Sequence, residues 1–201
     1  MSERSVRVVT ASASEPQPSL RRTTATDPWT VHATRVIHDS VCRVEEHDVE
    51  TPDGRRFTFP VMIMGGFVKV LPVTREGDVV FVRQYRHALG RPTLELPAGG
   101  LEPGEEPEAA ARRELAEEAG LAPGALEHLG TFNTSPGRIS ERGWVYLATD
   151  CVPDPAAVQA EPTVPVHVPL AEAFDLVGGE VADAASTIAL LLARDRLLPR
   201  G

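Results

Sequence analysis

The chain has 201 residues, 42% of them hydrophobic and 24% charged, enough for one sizeable core with a small appendage. Its 29 acidic and 20 basic residues leave a formal net charge of −9, which repels nucleic-acid backbone and anionic lipid. Two isolated cysteines, Cys42 and Cys151, argue against a disulfide scaffold or structural zinc. No apolar run is long enough to span a membrane, and the first twenty residues lack the apolar centre of a secretory signal, so the expected location is the cytoplasm.

Residues 1–28 are rich in Ser, Thr, Pro and Arg and predict a flexible tail. Strand character begins near Trp29, with apolar residues over 31–37 and 41–49 and turn chemistry at Thr51-Pro52-Asp53-Gly54. Residues 56–64 alternate, with Phe57, Phe59, Val61 and Ile63 on one side, so 29–65 predicts a small antiparallel sheet of its own. A second region, 66–201, opens after Gly65-Gly66 with β-branched runs at 68–73 and 79–82, joined by the hairpin signal Arg75-Glu76-Gly77-Asp78. A short strand over 93–96 ends at Pro97-Ala98-Gly99-Gly100.

The clearest helix follows: Pro107 opens it, alanines and Leu115 favour it, and Gly120 closes it. Strands are predicted at 126–132, 144–148 and 164–168, and helices near 170–176 and 182–193, divided by Gly178-Gly179. Strands and helices without regular βαβ alternation indicate an α+β fold with a sheet between helices.

Chemistry concentrates in residues 99–121, GGLEPGEEPEAAARRELAEEAGL. Residues three and four apart share a helix face, so Glu114 and Glu118 stack one turn apart with Glu117 beside them. Taken alone, such glutamates read as a solvated acidic face. Three converging carboxylates also repel unless neutralised, and a hard divalent cation with oxygen ligands is the natural neutraliser. Arg113 is placed to pair with Glu105 if the preceding loop folds back.

The string from Gly99 through Glu105, Arg113, Glu114, Leu115, Glu117, Glu118 and Gly120 to Leu121 resembles the Nudix signature at every fixed position. The resemblance implies a Nudix α/β/α sandwich, here preceded by the small N-terminal sheet, and metal-dependent cleavage of a pyrophosphate bond. It implies that Glu114, Glu117 and Glu118 bind Mg²⁺ or Mn²⁺, with Glu117 a reserve candidate for the base. Gly99, Glu105, Arg113 and Gly120 would have structural roles.

The flanks, Val82-Arg83-Gln84-Tyr85-Arg86 and Glu95-Leu96-Pro97-Ala98-Gly99, look like the ADP-ribose pyrophosphatase branch. That likeness implies a metal ligand in the Ala98 carbonyl and a substrate-binding residue in Arg86, whose alternative is a strand-end ion pair. Glu95 could meet substrate or support the sheet. Pro136 stands 15 residues beyond Leu121, as in that branch, and adds a further substrate-binding candidate. On the mobile loop expected after it, Glu141 is the candidate base that activates water. A loop base lets closure wait for correctly bound substrate.

The implied substrate is a nucleoside diphosphate joined to a sugar-like group, ADP-ribose first, giving AMP and ribose 5-phosphate. One departure keeps other nucleotide sugars and secondary-metabolite diphosphates open: Glu161 fills the first of two acidic places, but Val164 occupies the second and His167 a position where an aromatic is common. A non-catalytic ADP-ribose-binding regulator is the alternative from another class. The resemblance further implies a homodimer built through residues 29–65. Trp29, Phe57 and Phe59 are candidates to stack on a base, with core packing the alternative for the phenylalanines. The histidines show no ligand spacing.

Overall fold

The computed structural model describes residues 27–40, 42–158 and 162–198. The tail expected over 1–28 therefore falls almost wholly outside the described residues, as does Glu161.

Among the described residues ten strands and three α-helices follow one another as β1 (Thr30–Asp39), β2 (Arg43–Glu50), β3 (Arg56–Thr74), β4 (Asp78–Arg86), β5 (Arg91–Glu95), β6 (Ala98–Gly100), α1 (Pro107–Ala119), β7 (Leu121–Ala122), β8 (Ala125–Phe132), β9 (Ile139–Pro153), β10 (Val164–Pro169), α2 (Leu170–Ala173) and α3 (Ala184–Leu197). No helix among the described residues is long and apolar enough to cross a membrane.

Strand β3 organises the molecule. It pairs antiparallel with β2 at its start and with β6 further along, and parallel with β9 from Met62 to Thr74. Beyond the β3–β4 turn, β4 carries β5 on one side and β10 on the other.

Side chains alternate across a strand, and the two faces of this sheet build separate cores. Val68 and Val70 of β3, Val80 of β4, and Tyr146 and Ala148 of β9 face α1, where Ala110, Ala111 and Leu115 meet them. Leu71 and Val73, Val79 and Phe81, and Val145 and Leu147 point the other way, onto Ala189, Leu190 and Ala193 of α3. Small alanines let both helices lie close, and the result is an α/β/α sandwich of α+β class.

Three expectations change. First, β3 runs unbroken through Gly65 and Gly66, so no break in secondary structure separates the N-terminal strands from the rest. The register with β9 merely shifts between Ile63 and Gly66, a bulge that absorbs the two glycines without ending the strand. Second, residues 139–142 are not a loop: with β3 extended beside them they find backbone partners, and β9 starts at Ile139 rather than Trp144. Third, the helix expected over 170–176 is one short α-turn followed by a 3-10 turn at Phe174–Leu176.

The N-terminal strands are antiparallel, and every residue of β1 is exposed. Trp29, Phe57 and Phe59 meet edge to face with centroids 5.3 and 5.4 Å from Trp29. Phe57 is not in a core; it is 40% exposed.

Candidate functional site

Helix α1 begins with Pro107 in its first turn and ends at Gly120, whose left-handed φ of 67° turns the chain and lets its amide cap Ala116. Its buried face contains Ala110, Ala111, Leu115 and Ala119, but also Glu114 and Glu118. Carboxylates on a buried face are costly unless hydrogen-bonded or paired, and both are provided for. Glu118 accepts the Ala98 amide at 2.7 Å, and Glu114 accepts from Arg113 at 2.6 Å.

Arg113 is the hub of the signature. Its guanidinium donates to both Glu105 oxygens at 3.0 and 2.9 Å, to the Gly100 carbonyl at 3.0 Å and to Glu117 at 3.2 Å. The loop before α1 is thereby folded back onto the helix. The guanidinium and the Glu102 amide hold the Glu105 carboxyl down to about 2, and the Arg113 pKa is raised in turn.

The strand end from Leu96 to Gly100 threads between β3 and the helices. Leu96 donates its amide to Ser186 at 2.9 Å, and Val70 donates to the Pro97 carbonyl at 2.9 Å. Gly99 then passes so close to α1 that a Cβ there would overlap the Glu114 carboxylate. Any larger residue there would have to push the Glu114 carboxylate aside.

A cavity of about 570 Å³ opens here, lined by Lys69, Arg86, Ala98, Gly99 and Glu141 among others. The fold thus gathers Arg86 from the end of β4, Ala98 and Gly99 from β6 and Glu141 from β9 around one space, with Glu114 and Glu118 directly behind Gly99 and Ala98. Glu141 lies at the β3–β9 bulge, where its backbone carbonyl accepts from Asn133 and its carboxylate from Thr134. Burial raises the Glu141 pKa above its ordinary value.

Two candidates fall elsewhere. Pro136 lines a separate recess with Phe59, Val61 and Arg138, because the turn closed by Arg138 and Ile139 onto the Ser135 carbonyl carries it toward the N-terminal strands. Glu95 is only 5% exposed and is bound up with protein groups rather than facing the cavity. Arg86 grips it bidentately at 2.8 and 2.7 Å, Thr93 donates at 2.7 Å and Lys69 stands 3.5 Å away. Burial alone would raise the Glu95 pKa, but Arg86, Lys69 and Thr93 together bring it down to about 2. Of its two readings, support is the one this geometry favours.

Lys69 and Asp183 escape the motif reading altogether. Lys69 is 3% exposed, with Nζ 3.1 Å from the Leu96 carbonyl and 3.6 Å from Asp183. Its signal is a charged residue inside the apolar run Phe67-Val68-Lys69-Val70-Leu71. Asp183 caps α3 by accepting the Ser186 amide at 2.9 Å.

The donors around Gly99 fit a hard divalent cation: carboxylate oxygens on one helix face, a neighbouring backbone turn, and a glycine cradle that a Cβ would fill. As they stand, with Arg113 holding Glu114 and Glu117, no three acidic, histidine or cysteine side chains among the described residues are grouped tightly enough to enclose an ion.

Residues 67–191 match the NUDIX domain family. The chain is 40% identical over 121 residues to an ADP-ribose pyrophosphatase of Bacillus subtilis, a match covering 60% of this chain and 65% of that one, just under two thirds of its length. It is 29% identical over 180 residues to the ADP compounds hydrolase NudE of Escherichia coli, covering 87% and 95%. A crystal structure of an ADP compounds hydrolase superposes with a TM-score of 0.76 at 26% identity, covering 85% of this chain and 95% of that one. With over half its length inside the family match and its sandwich shared with a solved relative, this chain belongs to the NUDIX domain family.

Proposed function

We propose that this protein hydrolyses the pyrophosphate bond of ADP-ribose with a divalent cation, Mg²⁺ or Mn²⁺, giving AMP and ribose 5-phosphate. The observation that carries the proposal is the single cavity bounded by Arg86, Ala98, Gly99 and Glu141, with the Glu114 and Glu118 carboxylates behind it. Relatives named for ADP-ribose and ADP compounds support the choice of substrate.

In this reading Glu114, Glu117, Glu118 and the Ala98 carbonyl are the cation's ligands. A cation there would draw charge from the diphosphate oxygens and acidify the attacking water. Arg113 and Glu105 hold the ligand helix and its loop in register. Arg86 binds a diphosphate or ribose oxygen at the cavity wall. Glu141 orients a water and takes its proton as the water oxygen bonds to phosphorus and the bridging P–O bond breaks. Partial burial suits Glu141 to that task, because a carboxylate with a raised pKa is a better proton acceptor. Glu117 is the alternative base.

The N-terminal strands enter the proposal as a dimer surface. Val31, Val36 and Ile37 of β1 are 52%, 46% and 56% exposed, and a strand bearing such residues on open faces gains by being covered. Residues 29–65 act in this reading as the dimerising part and 66–201 as the hydrolase part.

The test is a panel of nucleoside diphosphate sugars assayed with Mg²⁺ and with Mn²⁺. ADP-ribose should give the highest kcat/KM. Preference for a nucleotide with another base or sugar would move the assignment within the family, and no hydrolysis of any would remove it.

A further inference from the structure

Lys69 occupies a position where packing asks for an apolar side chain. It lies in the row of β3 that faces α3, followed by Leu71 and Val73, and it is as buried as they are. A lysine at that depth is costly, so its charge must serve something that an aliphatic residue could not.

Its surroundings say what. The ammonium stands 3.5 Å from Glu95 Oε2, the same oxygen that Arg86 Nη2 holds at 2.7 Å, while Thr93 backs the other oxygen at 2.7 Å. The Leu96 carbonyl and Asp183 fix Lys69 from behind. Arg86 has its side chain 42% exposed at the cavity wall, whereas that of Glu95 is 7% exposed. Arg86 gives Glu95 two of its five N–H donors, and an anionic substrate in the cavity competes with Glu95 for the guanidinium and draws those donors away. Were Glu95 held by Arg86 alone, that movement would strand a buried carboxylate, and the arginine would stay where it is.

We infer that Lys69 is a positioning residue, the reserve counterion that keeps Glu95 compensated while Arg86 turns its guanidinium to the anionic substrate. The inference rests on the reading of Arg86 as a substrate-binding residue. Asp183, at the start of α3, holds the ammonium at its station on the α3 side of Glu95.

The test measures ADP-ribose affinity by calorimetry with divalent cations chelated, and KM and kcat with Mg²⁺, for four variants. Lys69→Met should weaken binding about tenfold, with the loss falling mainly on KM, because Arg86 stays locked to Glu95. Adding Glu95→Gln removes the lock, so the double variant should bind as well as Glu95→Gln alone. A lysine that merely holds the fold would show the same loss in both backgrounds, and that result would overturn the inference. If Lys69→Met does not fold, the comparison of the double variant with Glu95→Gln alone still decides. Arg86→Ala separates substrate binding by Arg86 from the part played by Lys69. Unchanged affinity in Arg86→Ala means that Arg86 does not meet the substrate at all. Weakened affinity there, with Lys69→Met unaffected, means that Arg86 binds but needs no reserve counterion. Either outcome overturns the role given to Lys69.

Discussion

Gly99 and Glu114 occupy what would be one space if residue 99 had a side chain: the strand end runs so close to α1 that any Cβ would overlap the carboxylate. The glycine lets a helix carboxylate and a strand backbone face the same point, which is what a cation with mixed side-chain and carbonyl ligands requires. Gly99→Ala should displace Glu114 while leaving the sheet intact. Activity at saturating Mg²⁺ should fall about 10²-fold, the usual cost of an ångström-scale misplacement. Circular dichroism should be unchanged. Full activity in this variant would show that the close approach has no part in catalysis.

Glu118→Gln keeps the shape of the side chain and its contact with the Ala98 amide but removes a charge from the proposed ligand set. Turnover should be abolished and the thermal midpoint little altered. Near-normal activity at saturating Mg²⁺ would mean that the acidic row of α1 is not a cation site.

Glu141 carries a prediction with a sign. Partial burial raises the pKa of its carboxyl from the ordinary glutamate value, and only the deprotonated form can accept a proton. kcat should therefore fall on acidification through that raised value, at a pH higher than a solvated glutamate would give. Glu141→Gln should lower kcat by roughly 10²- to 10⁴-fold and abolish this acid limb. An unchanged limb would assign the titration to another group, Glu117 first.

Glu95 predicts how stability depends on pH. Its folded pKa of about 2 lies below the ordinary 4.5, so it contributes stability above about pH 4.5 that is lost as pH falls toward 2. Glu95→Gln should flatten urea-unfolding stability across that window. At neutral pH it should cost about 3 kcal/mol, because Arg86 and Lys69 lose the buried carboxylate they share and Lys69 keeps only Asp183 as a counter-charge. A wild-type pH profile in this variant would contradict the pairing.

Much of the fold is legible in the sequence because its local signals agree. Pro107 and Gly120 mark α1 at both ends, and the valine runs at 68–73 and 79–82 mark the central hairpin. The length of β9 is not legible: residues 139–142 become strand only because β3 extends beside them, a partnership made across some eighty residues. The site shows the same division. The signature brings out the row from Gly99 to Gly120, since helical spacing alone puts Glu114 and Glu118 together. Pro136 matches a spacing but follows a turn away from the cavity. Lys69, Thr93 and Asp183 belong to no contiguous pattern. Lys69 and Thr93 reach Glu95, and Asp183 reaches Lys69, only when β3, β5 and the start of α3 are assembled, although a lysine within an apolar strand is a visible anomaly.

Cation-dependent hydrolysis of ADP-ribose in the cavity between β4, β6 and β9 is tested most directly by phosphorus NMR of ADP-ribose incubated with the protein and Mg²⁺. The diphosphate resonances should be replaced by those of AMP and ribose 5-phosphate in equal amounts, and chelating the cation should stop the conversion. ADP-ribose that binds but persists unchanged with both Mg²⁺ and Mn²⁺ would contradict it and leave a binding protein in place of a hydrolase.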